Sequence, residues 1–294
     1  MKKSIAASAF LFLPFLAAAQ PVKTPVSAAD PYGVDFSKVS GNVVQITEYK
    51  GSDVDSLSVR SITTYTDRRP QTATQYNDDS SAGIVTKYTY NESGLPASIT
   101  GRDSNGYQRW RYEYKYNSSG QQTEEKSFSA ANVMEGKTTT KYNENGSVRE
   151  HRTYNNKDEL MLKETLQYNE RGFVSADIIQ YPDGKLLKRT IYTYTKGGHI
   201  ADETHYDAGG FYERVGYTYS ENGQLISFSS LGKDYKINSR TSVEYDILGR
   251  IWRQTITGKD NAVTTITYVY DSHGNWVWKS DEYSQSLRKI IYAQ

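Results

Sequence analysis

Trp110-Arg111-Tyr112-Glu113-Tyr114-Lys115-Tyr116-Asn117-Ser118-Ser119-Gly120 sets the reading of the whole chain. Aromatic residues at 110, 112, 114 and 116 alternate with Arg111, Glu113 and Lys115. A period of two puts rings on one face and charges on the other, the signature of a half-buried β-strand. Asn117 then opens a turn by bonding its own backbone two residues on. Gly120, three residues later, tolerates the positive φ that closes such a turn with a bulge.

The same Tyr-x-x-x-Gly unit recurs along the chain. It occurs at Tyr90–Gly94, Tyr116–Gly120, Tyr142–Gly146, Tyr168–Gly172, Tyr194–Gly198, Tyr219–Gly223, Tyr245–Gly249 and Tyr270–Gly274. The Gly-to-Gly steps are 26, 26, 26, 26, 25, 26 and 25 residues. Self-similarity at a fixed period marks a repeat architecture. Tyr65–Pro70 reads as a degenerate further turn, and Gly41-Asn42-Val43 as the start of the array. Two residues before each Tyr stand Tyr88, Tyr114, Thr140, Leu166, Tyr192, Tyr217, Val243 and Tyr268. Two residues after each Gly, apolar side chains prevail, with Gln122 the exception. Second turn signals lie midway, at Asp103–Gly106 and Pro182–Gly184 among others. Two strands of about eight residues and two turns therefore fill each repeat. The best helical candidate, Asn156–Gln167, falls in register with a repeat and reads as turn and strand.

The expected fold is all-β: a large antiparallel meander of tandem β-hairpin repeats over 41–294. A sheet of sixteen or more strands curls, closes or splits. The expected form is thus a strongly curved sheet, closed into a barrel or wound as a spiral wall, with the tyrosines inward. A flatter solenoid-like sheet is the alternative. An outer-membrane barrel would need an outward apolar band on every strand. Arg111, Glu113, Lys115 and Lys163, Thr165, Gln167 do not supply one.

Residues 1–19 read as a secretory signal peptide. Lys2 and Lys3 precede the apolar run Ile5–Leu16, and Ala17, Ala18 and Ala19 provide the small-residue cleavage site. The run Ile5–Ala19 is shorter than the ~20 residues a spanning helix needs. Residues 20–40, with Pro21, Pro25 and Pro31, read as a linker or extended arm. Export to the periplasm, the cell surface or the medium is the expectation, with no transmembrane span once the leader is removed.

Lys and Arg number 35 against 34 Asp and Glu, a net charge of +1. That balance lacks the basic footprint of a nucleic-acid binder. There is no cysteine, so disulfides and thiolate metal sites are excluded. The histidines 151, 199, 205 and 273 carry no ligand spacing and read as ordinary surface residues. No nucleophile elbow or phosphate loop is present. Neither catalysis, a metal nor a cofactor is expected.

Tyr245-Asp246-Ile247-Leu248-Gly249-Arg250 resembles the YD repeat of Rhs-type proteins, and Tyr270-Asp271-Ser272-His273-Gly274-Asn275-Trp276 resembles its C-terminal form. The resemblance covers about 83–294 and is more specific in these two copies than in the Tyr-Asn ones. It implies antiparallel sheet wound into a shell or spiral, and carbohydrate binding. Long members of that family add many more repeats, a core-closing segment and a C-terminal toxin. This chain ends about 20 residues after its last motif, so a small exported member without a toxin domain is the expectation.

One set of positions breaks the polar pattern of the outer face. The third residue after the Gly is Ala97, Thr123, Arg149, Ser175 and Ala201 in the early repeats, then Ile226, Trp252 and Val277. Exposed apolar stripes mark contact sites. Ile226, Trp252 and Val277 are therefore the candidate ligand-binding residues, for a glycan or a cell-envelope protein, unless the N-terminal arm or C-terminal tail covers them. The expected function is that of an exported, non-enzymatic binding or structural repeat protein. Two alternatives stand beside it: a polysaccharide-acting enzyme using paired carboxylates, and a carrier of an apolar ligand in a Tyr-lined interior.

Overall fold

The computed structural model describes residues 39–293. The leader at 1–19 and nearly all of the arm at 20–40 lie outside the described residues.

Twenty strands follow one another without a helix among the described residues. The first two hairpins are β1 (Val43–Gly51), β2 (Ser58–Thr66), β3 (Arg69–Tyr76) and β4 (Ala82–Tyr90). Next come β5 (Pro96–Arg102), β6 (Gln108–Tyr116), β7 (Gln122–Phe128), β8 (Met134–Tyr142), β9 (Val148–Asn155) and β10 (Leu160–Tyr168). They are followed by β11 (Val174–Gln180), β12 (Leu186–Tyr194), β13 (Ile200–Asp207), β14 (Gly210–Tyr219) and β15 (Leu225–Leu231). The last are β16 (Ile237–Tyr245), β17 (Ile251–Gly258), β18 (Val263–Tyr270), β19 (Trp276–Ser280) and β20 (Gln285–Tyr292). Each strand pairs antiparallel with its sequence neighbours, and β20 pairs with β1, from Val43 opposite Tyr292 to Gly51 opposite Gln285. The sheet is a closed barrel, which leaves no strand edge unpaired. Closure decides against the flatter solenoid. The segment 156–167 is turn and strand, as its repeat register implied.

One turn geometry serves most of both rims. At the tyrosine rim Asn117 N–H donates to the Gln121 carbonyl at 2.9 Å, and Gly120 N–H to the Asn117 carbonyl at 3.0 Å. The Asn117 side-chain oxygen accepts from the N–H groups of Ser119 and Gln121, both at 3.0 Å. Gly120 has φ 77°, the left-handed region in which a Cβ costs about 1 kcal/mol or more. At the far rim Asp103 and Gly106 do the same, while Asn132, Asp158 and Asn261 replace glycine elsewhere. The degenerate turn after Tyr65 is tighter. Asp67 and Arg68 both have positive φ, 51° and 63°, the pattern of a two-residue hairpin.

The repeat tyrosine has a second role that spacing alone did not reveal. Its hydroxyl donates to the backbone carbonyl two residues after the previous repeat's glycine. Tyr116 reaches Pro96 at 2.8 Å, Tyr142 Gln122 at 2.7 Å, Tyr168 Val148 at 2.6 Å and Tyr194 Val174 at 2.6 Å. Tyr90, Tyr245 and Tyr270 make the equivalent bond. The β5–β6 ladder begins only at Ser98 opposite Glu113, so the Pro96 carbonyl faces a gap between hairpins. Tyr116 fills that gap, and each of these seven tyrosines ties its hairpin to the one before. This explains why Gln122 is tolerated at an apolar position: its carbonyl, not its side chain, is what Tyr142 needs. Burial pushes the phenols of Tyr90, Tyr116, Tyr194 and Tyr270 up to about 12, so they stay protonated as donors.

The tyrosines line the inner side. In register with them lie Ile99, Thr190, Glu203, Val215 and Val243, all buried. The opposite rows, such as Lys115, Lys141, Thr193 and Thr218, are exposed. Small residues sit beneath rings. Gly101 pairs with Trp110, and a Cβ there would stand 2.3 Å from the indole. Gly101→Ala should therefore destabilise the barrel by about 1–3 kcal/mol through overpacking. An unchanged denaturation midpoint would show that the Trp110 ring moves aside without cost.

Candidate functional site

The candidate residues Ile226, Trp252 and Val277 stand at a recurring β-bulge. In β17, Ile251 pairs with Tyr245 and Arg253 with Glu244, so Trp252 is the extra residue. Ile226 in β15 and Val277 in β19 are extra in the same way. A bulge sends two consecutive side chains to one side. The inward row is kept by Leu225, Ile251 and Trp276, and the bulged residues face out. Trp252 is 37% exposed and Ile226 43%, while Val277 is half-buried. Consecutive members lie two strands apart, about 10 Å by strand spacing.

Closure extends the row. Val43 pairs with Tyr292 and Gln45 with Ile291, so Val44 is the bulged residue of β1, next in line after Val277. Val269, directly before the repeat tyrosine Tyr270, and Ile291, directly before Tyr292, fill the strands between. Val44 is 37%, Val269 55% and Ile291 43% exposed. Behind them Trp278 pairs with Val269 and with Leu287, which pairs with Tyr49. An apolar band thus runs along the outer tyrosine rim from β15 across the closure to β1. Charge interrupts it at the Glu244–Arg253 ion pair at 2.7 Å, with the Arg253 guanidinium 5.0 Å from the Trp252 ring, and at Lys289, exposed between Leu287 and Ile291 on β20. Sequence reasoning missed Val44, Val269 and Ile291. A signal existed for two of them: the residue before the repeat tyrosine is polar from Thr89 to Glu244, then turns apolar. On the earlier strands the outer face is mixed: Lys137 and Lys141 on β8 and Arg152 on β9 are charged, while Ala176 on β11 faces Ile191 on β12.

The inner wall divides into two arcs. Over β14–β19 it is apolar, built on Leu225, Val243, Ile251 and Tyr268 with Tyr217, Phe228 and Trp276 against them. Over β9–β13 it carries ionisable groups. His151 Nδ1 is 2.9 Å from the Thr140 hydroxyl, and His205 Nδ1 is 3.1 Å from the Thr190 hydroxyl. His205 Nε2 lies 3.6 Å from Glu203, which also accepts from Tyr217 at 2.9 Å. The surface reading holds for His199 and His273 but not for these two. His205 is buried and His151 half-buried, because the bulge at Ala201 and that at Arg149 return both to the inner row. Burial, then Lys188, pulls the His205 imidazole down to about 4, and burial lowers His151. Both are neutral at pH 7.

Glu164 and Asp177 lie diagonally across β10 and β11 on the inner row. Among the described residues no three His, Asp or Glu side chains converge to hold a metal. No described helix is long and apolar enough to cross a membrane.

No family profile matches the chain, and no curated protein is similar to it. Solved structures that resemble it include the complex TcdB2-TccC3-Cdc42, at 12% identity and a TM-score of 0.41, covering 80% of this chain. This chain spans only 14% of that one. A porin-like protein from Bacteroides uniformis is similar at 12% identity and a TM-score of 0.37, covering 86% of this chain and 98% of its own.

Proposed function

We propose that this is an exported, non-enzymatic binding protein of the cell envelope whose contact surface is the outer apolar band around Trp252. The observation that carries the reading is the coincidence of two apolar faces. Strands β15–β20 are apolar inward at Leu225, Val243, Ile251 and Tyr268 and apolar outward at Ile226, Trp252, Val269 and Ile291. Strands apolar on both faces are the pattern of a sheet covered on both. The earlier strands carry Lys137, Lys141 and Arg152 outward and show no such exposed aliphatic row. Aliphatic side chains dominate the band, which favours a protein partner. The rings of Trp252 and Trp278 give a glycan its footing as the second reading.

Trp252→Ala should lower affinity for envelope extract at least tenfold, as expected for a central Trp anchor, and leave the unfolding midpoint in place. Glycan arrays run in parallel separate the two readings: binding to arrayed sugars that Trp252→Ala abolishes selects the glycan. Unaltered affinity in both formats removes the band as the binding surface.

A further inference from the structure

We propose that Glu164 and Asp177 form a proton-sharing latch on the inner wall, which holds β9–β12 together while one proton lies between them and loosens that arc when both carboxyls ionise. The geometry comes first. Antiparallel pairing sets Glu164 opposite His151 and Ile179, and Asp177 opposite Leu166 and Thr190. Both side chains belong to the inner row. Asp177 Oδ1 is sealed from solvent and receives no hydrogen bond from any described N–H or O–H group. Buried acceptors are rarely left so, because an unmade bond costs about 1–3 kcal/mol. A proton on one carboxyl, donated to the other, satisfies that oxygen.

The other inward titratable or charged groups on the packed strands are His151 from β9, Tyr168 from β10, and Lys188, Tyr192 and Tyr194 from β12, with Glu203 and His205 beyond on β13; of the tyrosines, Tyr192 feels the Asp177 charge, and it stays protonated because burial raises its phenol. Lys188 and His151 favour ionised Asp177, but burial and the neighbouring Glu164 outweigh them and raise its carboxyl to about 7. Burial also raises Glu164. Two like charges in contact at low dielectric cannot both ionise easily.

The sign of the effect follows from linkage. The folded chain keeps a proton that the unfolded chain has already released above the ordinary Asp range. The pair therefore costs stability progressively as pH rises from about 4 to about 7, and the cost is constant above that. His151 and His205 act oppositely, losing stability as pH falls, so the wild-type profile is a sum of both limbs. A difference profile isolates the latch.

Asp177→Asn keeps a donor for Glu164 and removes the shared proton. Its thermal midpoint relative to wild type should climb by several degrees between pH 4 and pH 8, and amide protection in β10 and β11 should cease to fall over that range. Glu164→Gln should reproduce both changes. Wild type itself should show the infrared carbonyl band of a protonated carboxylic acid persisting above pH 5, a readout that does not depend on either variant folding. A pH-independent difference for both variants, or the absence of that band, would overturn the latch.

Discussion

Tyr217→Ala should lower the unfolding free energy by about 3–5 kcal/mol, the range for deleting a buried ring, and Tyr217→Phe by about 1.5–3 kcal/mol, the range for a hydrogen bond to a charged group. Tyr217 sits where the polar and apolar arcs of the inner wall meet. Its ring packs 6.0 Å from Phe228, and its hydroxyl donates to Glu203 at 2.9 Å. Glu203 is 1% exposed. A carboxylate so deeply placed depends on every donor it has, and removal of one charges the desolvation to the folded state. Burial and the Glu203 charge push the Tyr217 phenol far up, which keeps it a donor at any accessible pH. Urea unfolding checks the pair of variants, with Tyr181→Ala as control. Tyr181 is 44% exposed in a far-rim turn and should change stability by no more than about 0.5 kcal/mol. A loss below about 1 kcal/mol for Tyr217→Ala would show that the ring is not packed into the wall.

The array was legible because its signals are local. Alternation in Trp110–Tyr116 fixes a strand face, Asn117 and Gly120 fix a turn, and a period near 26 residues repeats both. Strand pairing between neighbours then follows with little freedom. The row Ile226, Trp252 and Val277 was legible for the same reason, since a bulge at a fixed offset from each glycine aims one side chain per repeat. Whether the sheet closes was not legible, since it depends on the register between β1 and β20, more than two hundred residues apart. That register also brings Val44 and Ile291 into the band, so its extent was hidden with it. The inward histidines were hidden because Arg149 and Ala201, as bulges, shift the parity of everything after them. Counting by twos from the glycine puts His151 and His205 on the wrong face. The latch was hidden for a related reason: Glu164 and Asp177 are 13 residues apart in sequence, and only the β10–β11 register makes them neighbours.

Closure is the joint that no covalent turn spans, and Arg288→Ala should loosen it. The β1–β20 pairing is a repeat turn with its backbone cut. Ala293 N–H donates to the Asn42 carbonyl at 2.8 Å, as Asn91 does to Leu95 at 2.9 Å, and Gly41 has the positive φ of a repeat glycine, 86°. Side chains stand in for the missing link. Ser40 N–H donates to Asn275 Oδ1 at 2.6 Å, Asn275 Nδ2 donates to the Ser40 carbonyl at 2.9 Å and to the Tyr292 hydroxyl at 2.7 Å, and Tyr292 donates to Asp271. His273 stacks on Tyr292 at 3.9 Å. On the inner face Arg288 pairs with Glu48 at 2.8 Å and lies 3.7 Å from the Trp276 ring, which joins β19, β20 and β1 through one side chain. Removing that guanidinium leaves Glu48 with the Ser61 hydroxyl but no cation, and should cost about 2 kcal/mol, less than for a deeply buried pair because Glu48 is partly exposed. Hydrogen exchange should then show the amides of β1 and β20 opening ahead of the rest. A circular permutant gives the complementary test. Joining residue 294 to Ser40 creates Tyr292-Ala293-Gln294-Ser40-Gly41, with the Tyr-to-Gly spacing of the other repeats, and the exposed Ser118–Ser119 bond supplies new ends. Exposed turn tips tolerate such cuts. The permutant should fold to the same barrel, and within it Arg288→Ala should no longer open β1 and β20 ahead of their neighbours, since a covalent turn now holds them. Equal early exchange in both backgrounds would mean that the joint is held by the strand ladder alone.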